Sequence, residues 1–284
     1  MNAKTMLSVL AVGASLLASP AMAQPISAEQ IKKIVASPER SAADRTNDLR
    51  RHPEQILEFI ALRPGITALD ISAGGGYTTE LLARSIGPTR KVYGQSRPRT
   101  GPPPTPPAAP EGNSHPGTTP AAAPPPPSGP PRPSPVALEA RQKAMQEAGI
   151  QAAAIASVVQ PFEDPVPAEL ADGKLDLVTL MFNYHDLGFL GVDRAAMNKA
   201  IFRALKPGGT YVIADHSGRP GTGISESGTL HRIEEAFLRK EVEAAGFKLA
   251  AEGNFLRNPN DPRDKNTPDP PQPKDEFVLK FVKP

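Results

Sequence analysis

The sequence predicts an α/β protein built on a doubly wound, mostly parallel seven-stranded sheet that ends in a C-terminal antiparallel strand pair. Short apolar runs alternate with amphipathic helical patterns, an order typical of parallel strands joined by helices on both faces of a sheet. Near the end of the chain, residues 247–256 and 277–282 form two successive strand patterns without an intervening helix, which indicates an antiparallel pair at one sheet edge. The third observation is a turn of three glycines, Gly74, Gly75 and Gly76, directly after the first strand.

The predicted elements begin with helices in residues 24–63. Ser27 and Gln30 have the spacing of a capping box, in which each side chain bonds the backbone N–H of the other residue. Pro53 fits the first position of a second helix over residues 53–62, because a backbone N–H at that position has no partner within the helix.

Strands and helices then alternate. The continuous apolar runs at residues 175–182 and 210–215 are typical of strands buried on both faces of a parallel sheet. The other parallel strands are predicted at residues 67–71, 91–94 and 154–159. The helices between them are predicted at residues 78–85, 136–149, 195–205 and 230–245, and a Lys-Pro-Gly-Gly turn follows the third of these.

Residues 97–135, which we call the proline-rich segment, hold much of the proline in the chain. Such a composition cannot bury a core and offers few backbone donors, so it predicts a disordered or polyproline-like insert. A ligand for proline-binding modules is the alternative interpretation. The chain therefore divides into a signal peptide (1–23), an N-terminal helical segment (24–63) and a main domain (64–284) that the proline-rich segment interrupts.

The beginning of the chain has the parts of an export signal. Lys4 precedes the apolar run 6–18, and Ala21 and Ala23 have the spacing of a cleavage site before Gln24. The apolar run is shorter than the roughly 20 residues that span a bilayer, so we expect no stable membrane insertion. The prediction is a periplasmic or secreted protein whose mature form begins at Gln24; an uncleaved N-terminal anchor is the alternative.

Charge and cysteine content exclude several function classes. Lysine and arginine number 32 against 30 acids, and the net charge of +2 gives no indication of nucleic-acid binding. The absence of cysteine excludes disulfides, thiolate metal sites and a cysteine nucleophile.

The first strand and the turn after it carry the main binding motif. Asp70 precedes the glycines, which can adopt positive φ and allow a ligand to approach the backbone at the start of the next helix. The chain has no G-x-x-x-x-G-K-[ST] pattern, and Thr79 stands where the third glycine of G-x-G-x-x-G belongs. Neither phosphate-binding pattern therefore fits.

The order of an acid before glycines resembles motif I of the class I S-adenosylmethionine-dependent methyltransferases, D/E-x-G-x-G-x-G. Asp70, Gly74 and Gly76 match, and Ser72 replaces the first glycine. The segments "LDLVTLMFNYHDL" and "ALKPGGTYVIAD" are similar to the fourth and fifth strands of that Rossmann-like family. With "HPEQILEFIALRPG" and "ADHSGRPGTG", the chain resembles an exported bacterial branch described as predicted methyltransferases.

The resemblance implies S-adenosylmethionine as cofactor and a set of residues that contact it. In the family, the acid at the position of Asp70 contacts the methionine ammonium, and an acid at the end of the second strand binds the ribose; here Gln95 and Ser96 stand at that end. Glu163 and Asp164 lie where the family often contacts the adenine, although a solvated turn explains them equally well. The implied cofactor-binding residues are Asp70, Ser72, Gly74, Gly75, Gly76, Ser96, Glu163 and Asn183.

The candidate catalytic residues follow the fourth and fifth predicted strands. His185, and secondarily Asp215 with His216, can remove a proton from a hydroxyl or carbon acceptor, because histidine titrates near neutral pH. Asn183 and Tyr184 are expected to orient the acceptor. A packing role for His185 and a turn-capping role for Asp215 are the alternatives.

Three functions remain open from the sequence. The first is methyl transfer to a small molecule or cell-envelope component, and the second is a non-catalytic exported binding protein on the same fold, which Ser72 and the neutral end of the second strand favour. The third is a metal-dependent hydrolase; no H-E-x-x-H or comparable spacing supports it, so we expect no metal. Its candidate ligands are His185, Asp186, Asp215, His216 and His231.

Overall fold

A computed structural model describes residues 24–98, 134–266, 268 and 272–284 of the 284-residue chain. The predicted signal peptide and residues 99–133 of the proline-rich segment lie outside the described residues, so both interpretations stay predictions.

The predicted sheet is confirmed, with seven strands in the order β3-β2-β1-β4-β5-β7-β6. Strands β1 to β5 run parallel, and β7 lies antiparallel between β5 and β6. The strands are β1 Ala68–Ile71, β2 Lys91–Ser96, β3 Ala154–Val159, β4 Leu175–Met181, β5 Leu205–His216, β6 Lys248–Gly253 and β7 Glu276–Val282.

The strand order reverses between β1 and β4, which pair directly, with Asp70 opposite Thr179. In open α/β sheets, ligands bind beyond the carboxyl ends of the strands at such a reversal. The fold therefore places the glycine turn after β1 and the loops after β4 and β5 at one edge.

Eight α-helices are described, and they differ in places from the sequence expectations. They are α1 Ala28–Val35, α2 Ala42–Arg51, α3 Pro53–Ile60, α4 Tyr77–Ile86, α5 Ser134–Glu147, α6 Asp186–Phe189, α7 Arg194–Ala204 and α8 Glu235–Ala244. The capping box of Ser27 and Gln30 is present, and Pro53 occupies the first turn of α3. Within the predicted helical segment 24–63 the sequence placed two helices but not α2, whose residues are mostly polar, and it did not predict α6, which is only four residues long.

Two predicted boundaries differ most from those in the structure. Strand β5 begins at Leu205, before the Lys-Pro-Gly-Gly sequence, because Leu205 already pairs with Leu175. The four residues of that sequence form an irregularity in the β4–β5 pairing, which passes from Leu205 to Thr210, and Gly208 has positive φ there. Helix α8 begins at Glu235 instead of residue 230, because Ile233 forms a parallel bridge with Ser217 and so extends the backbone there.

Each face of the sheet is covered by a separate apolar core. Leu69, Val178 and Ile213 point to the face covered by α7 and α8, while Ala68, Leu177 and Val212 point to the other. On that second face, α1, α3 and α4 pack together through Ile31, Leu57, Ile60 and Leu82. The N-terminal helices thus share a core with the sheet. Within the described residues, no helix has the length and apolar character required to cross a membrane.

Candidate active site

Asp70 lies at the end of β1 and is almost completely buried. The hydroxyls of Thr79 and Thr179 donate to its two carboxylate oxygens at 2.6 and 2.8 Å. Burial raises the pKa of Asp70 to about 6, although these hydrogen bonds oppose the shift. In this structure Asp70 therefore joins β1 to α4 and β4; its contact with a cofactor ammonium stays a prediction.

The three glycines after β1 have different surroundings. Gly74 and Gly76 have positive φ, 54° and 81°, which favours glycine. A Cβ on Gly76 would lie 2.8 Å from side-chain atoms of both Leu138 and Arg141 on α5, so helix packing also requires this glycine. Gly75 has no positive φ, and its Cβ would meet nothing within 4 Å. Gly75 is therefore the glycine that faces open space.

Gln95, at the end of β2, is fully buried. Its side-chain oxygen accepts from the Ser72 N–H at 3.0 Å, and its amide nitrogen donates to the Gln160 carbonyl at 2.7 Å. Gln95 thus fixes the glycine turn to the segment after β3, which leaves Ser96 as the partly exposed polar residue at this end. Glu163 lies partly exposed in a turn after β3.

Asn183 connects the glycine turn to the loop after β4. Its oxygen accepts from the Ser72 hydroxyl at 2.6 Å, and its nitrogen donates to Asp186 Oδ2 at 2.7 Å. Tyr184 points away from this site: its hydroxyl is buried between Glu241 and Asn198. The expectation that Tyr184 orients an acceptor was therefore wrong, because the backbone turns its ring into the core.

His185 lies between two carboxylates. Its Nδ1 is 2.6 Å from Asp215 Oδ1, and its Nε2 is 3.2 Å from Asp186 Oδ1. Burial alone would favour the neutral ring, but the two carboxylates prevail and raise the pKa of His185 to about 10. His185 is thus protonated at neutral pH, with both ring nitrogens directed at carboxylates.

His216 ends β5 next to Asp215, and its ring centroid lies 5.3 Å from that of His185. Burial lowers the pKa of His216 well below its usual value, and the positive charges of Lys274 and His185 act in the same direction. Its Nδ1 is 2.9 Å from Glu276 Oε1, outside hydrogen-bonding geometry. His216 is therefore neutral at neutral pH and can accept a proton.

Asp215 is completely buried and organises both histidines. Besides the His185 ring, it accepts from the backbone N–H groups of His185 and His216, each at 2.8 Å. All three predicted catalytic residues are thus brought together, with a charged and a neutral imidazole side by side.

His231 was named from the sequence only as a possible metal ligand, and the structure brings it to the same place. Its Nδ1 is 3.1 Å from Asp186 Oδ1, and its ring meets that of His185 edge-on at 5.6 Å between centroids. We refer to His185, Asp186 and His231 as the His–Asp cluster. The sequence named Asp186 and His231 only as members of one larger candidate ligand set, because no local pattern relates two residues 45 positions apart.

Arg51 was missed by the sequence analysis altogether. Its guanidinium lies over the rings of Phe182 and Tyr77, at 4.9 and 5.2 Å from their centroids. Burial and the adjacent Arg50 lower the pKa of Arg51 to about 10, a value at which it is still cationic. It borders an apolar cleft beside Tyr77, where α4 begins. The only sequence signal was the Arg-Arg pair before Pro53.

Solved structures of low sequence identity share this architecture. A S-adenosylmethionine-dependent methyltransferase from Aquifex aeolicus matches 91% of this chain and 100% of its own, with TM-score 0.51 and 16% identity. The [4+2]-cyclase SpnF matches 88% of this chain and 86% of its own, with TM-score 0.51 and 17% identity. The chain has the fold of the class I S-adenosylmethionine-dependent methyltransferases.

Comparisons of sequence are less informative, since no protein-family model and no curated protein sequence matches the chain. The two neighbours also show that one fold carries different named activities, a methyltransferase and a cyclase. The fold alone therefore does not determine the function of this chain.

Proposed function

We propose that this protein binds S-adenosylmethionine at the glycine turn and transfers its methyl group to a small molecule or cell-envelope component. One observation carries the proposal. The acid-and-glycine turn after β1 is hydrogen-bonded, through Ser72 and Asn183, to the cluster of titratable side chains after β4 and β5. A binding turn and groups capable of proton transfer thus form one continuous site.

The residues around the turn fit the parts of this cofactor. Gly75 faces open space, and Arg51 offers a cation for the methionine carboxylate beside the N-terminus of α4. Ser96 is available as a hydroxyl for the ribose, and Glu163 as a carboxylate for the adenine amino group. When bound, the cofactor supplies an electrophilic methyl group on a sulfonium.

The polar side chains divide the remaining work. Neutral His216 accepts the proton of the acceptor hydroxyl, and the nearby His185 cation, fixed by Asp215, stabilises the negative charge that develops on the acceptor oxygen. This assignment differs from the sequence prediction of His185 as the base, because the two carboxylates raise the pKa of His185 and favour its protonated form at neutral pH.

Calorimetry with S-adenosylhomocysteine tests the cofactor site. We expect binding by the wild-type protein and a loss of at least about tenfold, ~1.4 kcal/mol, in Gly75→Val, whose side chain enters the open space. Asp70→Asn should also weaken binding, because it removes charge at constant size. Thermal unfolding of each variant is the control, and unchanged affinity in both would place the pocket elsewhere.

Turnover is a separate question, because the binding-protein alternative shares the pocket. Incubation with methyl-labelled S-adenosylmethionine and a cell-envelope fraction should yield a labelled product, and His216→Asn should reduce the label about 10²-fold. Tight binding of cofactor without label in any acceptor fraction would favour the non-catalytic alternative, which the neutral end of β2 supports.

Export completes the proposal, and Lys4 with the Ala21 and Ala23 spacing supports it. Mass spectrometry of protein recovered from the periplasm or medium should give Gln24 as the first residue. Recovery of the intact N-terminus from the cytosol would contradict export.

A further inference from the structure

The His–Asp cluster has the geometry of a metal site. The Nε2 of His185 and the Nδ1 of His231 approach the same oxygen of Asp186, at 3.2 and 3.1 Å. All three candidate ligand atoms lie within 4.8 Å of one another. Ligand atoms around a tetrahedral Zn²⁺, each about 2.0 Å from the ion, lie roughly 3.3 Å apart. The cluster is therefore close to the spacing that one such ion requires.

The residues behind the cluster orient its ligands. Asp215 binds the Nδ1 of His185, which directs the opposite nitrogen towards Asp186. Asn183 donates to the second oxygen of Asp186 and leaves Oδ1 facing the imidazoles. A carboxylate behind a ligating histidine, and a hydrogen bond behind a ligating carboxylate, are the usual supports of metal ligands.

The third ligand is held in place from another part of the chain. Arg232, next to His231, is completely buried; it donates to Asp261 at 2.8 Å and to the Ser217 carbonyl at 3.0 Å. These contacts fix the segment before α8 against the end of β5. His231 is thus supported opposite Asp186 independently of the cluster itself.

The cluster is buried on one side and open on the other. His185 is almost completely buried, whereas the side chains of Asp186 and His231 are 29% and 21% exposed. Three protein ligands and an accessible side are the arrangement in which an ion keeps one position for an exogenous ligand.

We propose that His185, Asp186 and His231 bind one divalent transition-metal ion. We take Zn²⁺ as the example, because it binds readily to two imidazoles and a carboxylate. Imidazole nitrogens suit Zn²⁺, Fe²⁺, Cu²⁺ and Ni²⁺, whereas Mg²⁺ and Ca²⁺ prefer all-oxygen sites. The ion would replace the proton on Nε2 of His185, so the metal-bound site and the His185 cation are alternative states of one site. If methyl transfer is the function, the ion would bind the acceptor oxygen in its open position and favour the deprotonated form, in place of the His185 cation; this clause alone rests on the proposed function.

Zinc titration of the purified protein tests the site. The protein is expressed from the full-length sequence without a histidine tag, stripped with a chelator and titrated with ZnCl₂ by calorimetry in the absence of any cofactor. We expect one ion per chain, and at least about tenfold weaker binding in Asp186→Asn and His231→Asn. In wild-type protein, Co²⁺ should give tetrahedral visible bands and shift the imidazole proton resonances of two histidines.

The controls match the variants in backbone and charge. His52→Asn replaces an exposed histidine that, like His231, has positive φ, at 45° against 50°. Asp172→Asn replaces a carboxylate whose side chain is 84% exposed. Both should keep wild-type zinc affinity within about twofold.

Two results would overturn the site. One is the absence of Zn²⁺ uptake and Co²⁺ bands in wild-type protein; the other is wild-type affinity in both cluster variants. If a variant does not fold, the Co²⁺ spectrum of the wild-type protein decides. Zinc binding without S-adenosylhomocysteine binding would retain the metal site and reject the proposed function. S-adenosylhomocysteine binding without zinc binding would retain the proposed function and reject the metal site.

Discussion

The glycine turn and the His–Asp cluster lie at the same edge of the sheet but are built differently. The glycine turn and the residues on either side of it are consecutive in sequence, 70–79. Their backbone conformation depends on the glycines and on packing against α5. The cluster and its support come from the segment after β4, the end of β5 and the segment before α8, so that Asp186, Asp215 and His231 meet only after the sheet has formed. The structure of the turn therefore depends mainly on backbone conformation, whereas that of the cluster depends mainly on interactions between charged side chains.

The two halves are accordingly sensitive to different changes. A turn that depends on positive φ and close packing is disrupted by added volume, whereas a buried group of charges is disrupted when one partner is removed. Asp215→Ala and Gly76→Val test this distinction, and two further changes test parts of the protein outside the turn and the cluster; all four are given in order of the size of the expected effect.

Asp215→Ala should have the largest effect on stability. The change leaves the His185 cation and two backbone N–H groups without their buried acceptor, so we expect a loss of about 3–5 kcal/mol in the free energy of unfolding. Urea denaturation measures it, with Asp172→Ala as the exposed control, expected within about 0.5 kcal/mol. A loss as small as in the control would show that Asp215 has little part in holding the cluster.

Gly76→Val should destabilise the protein by about 2–4 kcal/mol. The valine is strained at φ 81° and its Cβ meets Leu138 and Arg141 at 2.8 Å. Gly75→Val is the matched control within the same turn, because its site is open; it should keep the unfolding midpoint and lose cofactor affinity instead. Equal stability of the two variants would contradict the packing of α5 on the turn.

Glu276→Gln should change the pH dependence of stability. Burial raises the pKa of Glu276 to about 7, although Arg50, Arg51 and Lys274 oppose the shift. Between about pH 4.5 and 7 the folded state therefore binds more protons than the unfolded state, and this residue makes the protein less stable as pH rises.

The variant lacks that titration but keeps the side-chain size. Its free energy of unfolding, relative to wild type, should rise by at least about 1 kcal/mol between pH 5 and 7.5, measured in urea at both values. A difference that stays constant with pH would show that Glu276 titrates at an ordinary value in the folded protein.

Replacement of residues 102–133 by a short Gly/Ser linker should have the smallest effect, below about 0.5 kcal/mol. The expectation comes from composition alone, since such a sequence offers no core and loop closure depends only weakly on length. A large fall in the unfolding midpoint would mean that the proline-rich segment packs on the domain.

The sequence determined the regular parts of the molecule. All seven strands, the antiparallel closing pair, the Ser27 capping box and the glycine turn were predicted, because each depends on residues close in sequence. Helix α2 was not placed from the sequence, because its composition is polar. The buried residue in it is Asp44, which forms an ion pair with Arg141 of α5. The position of the helix depends on an ion pair with a residue 97 positions away, which no local pattern records.

Only the tertiary structure decided what the polar residues do. The sequence placed His185 and His216 at the site, but their opposite protonation states follow from which carboxylates the fold brings to each ring. In the same way, Gln95 is a structural link rather than an exposed strand end. Local sequence fixes backbone conformation through short-range sterics and hydrogen bonds, whereas the charge state of a buried side chain depends on neighbours that only folding assembles.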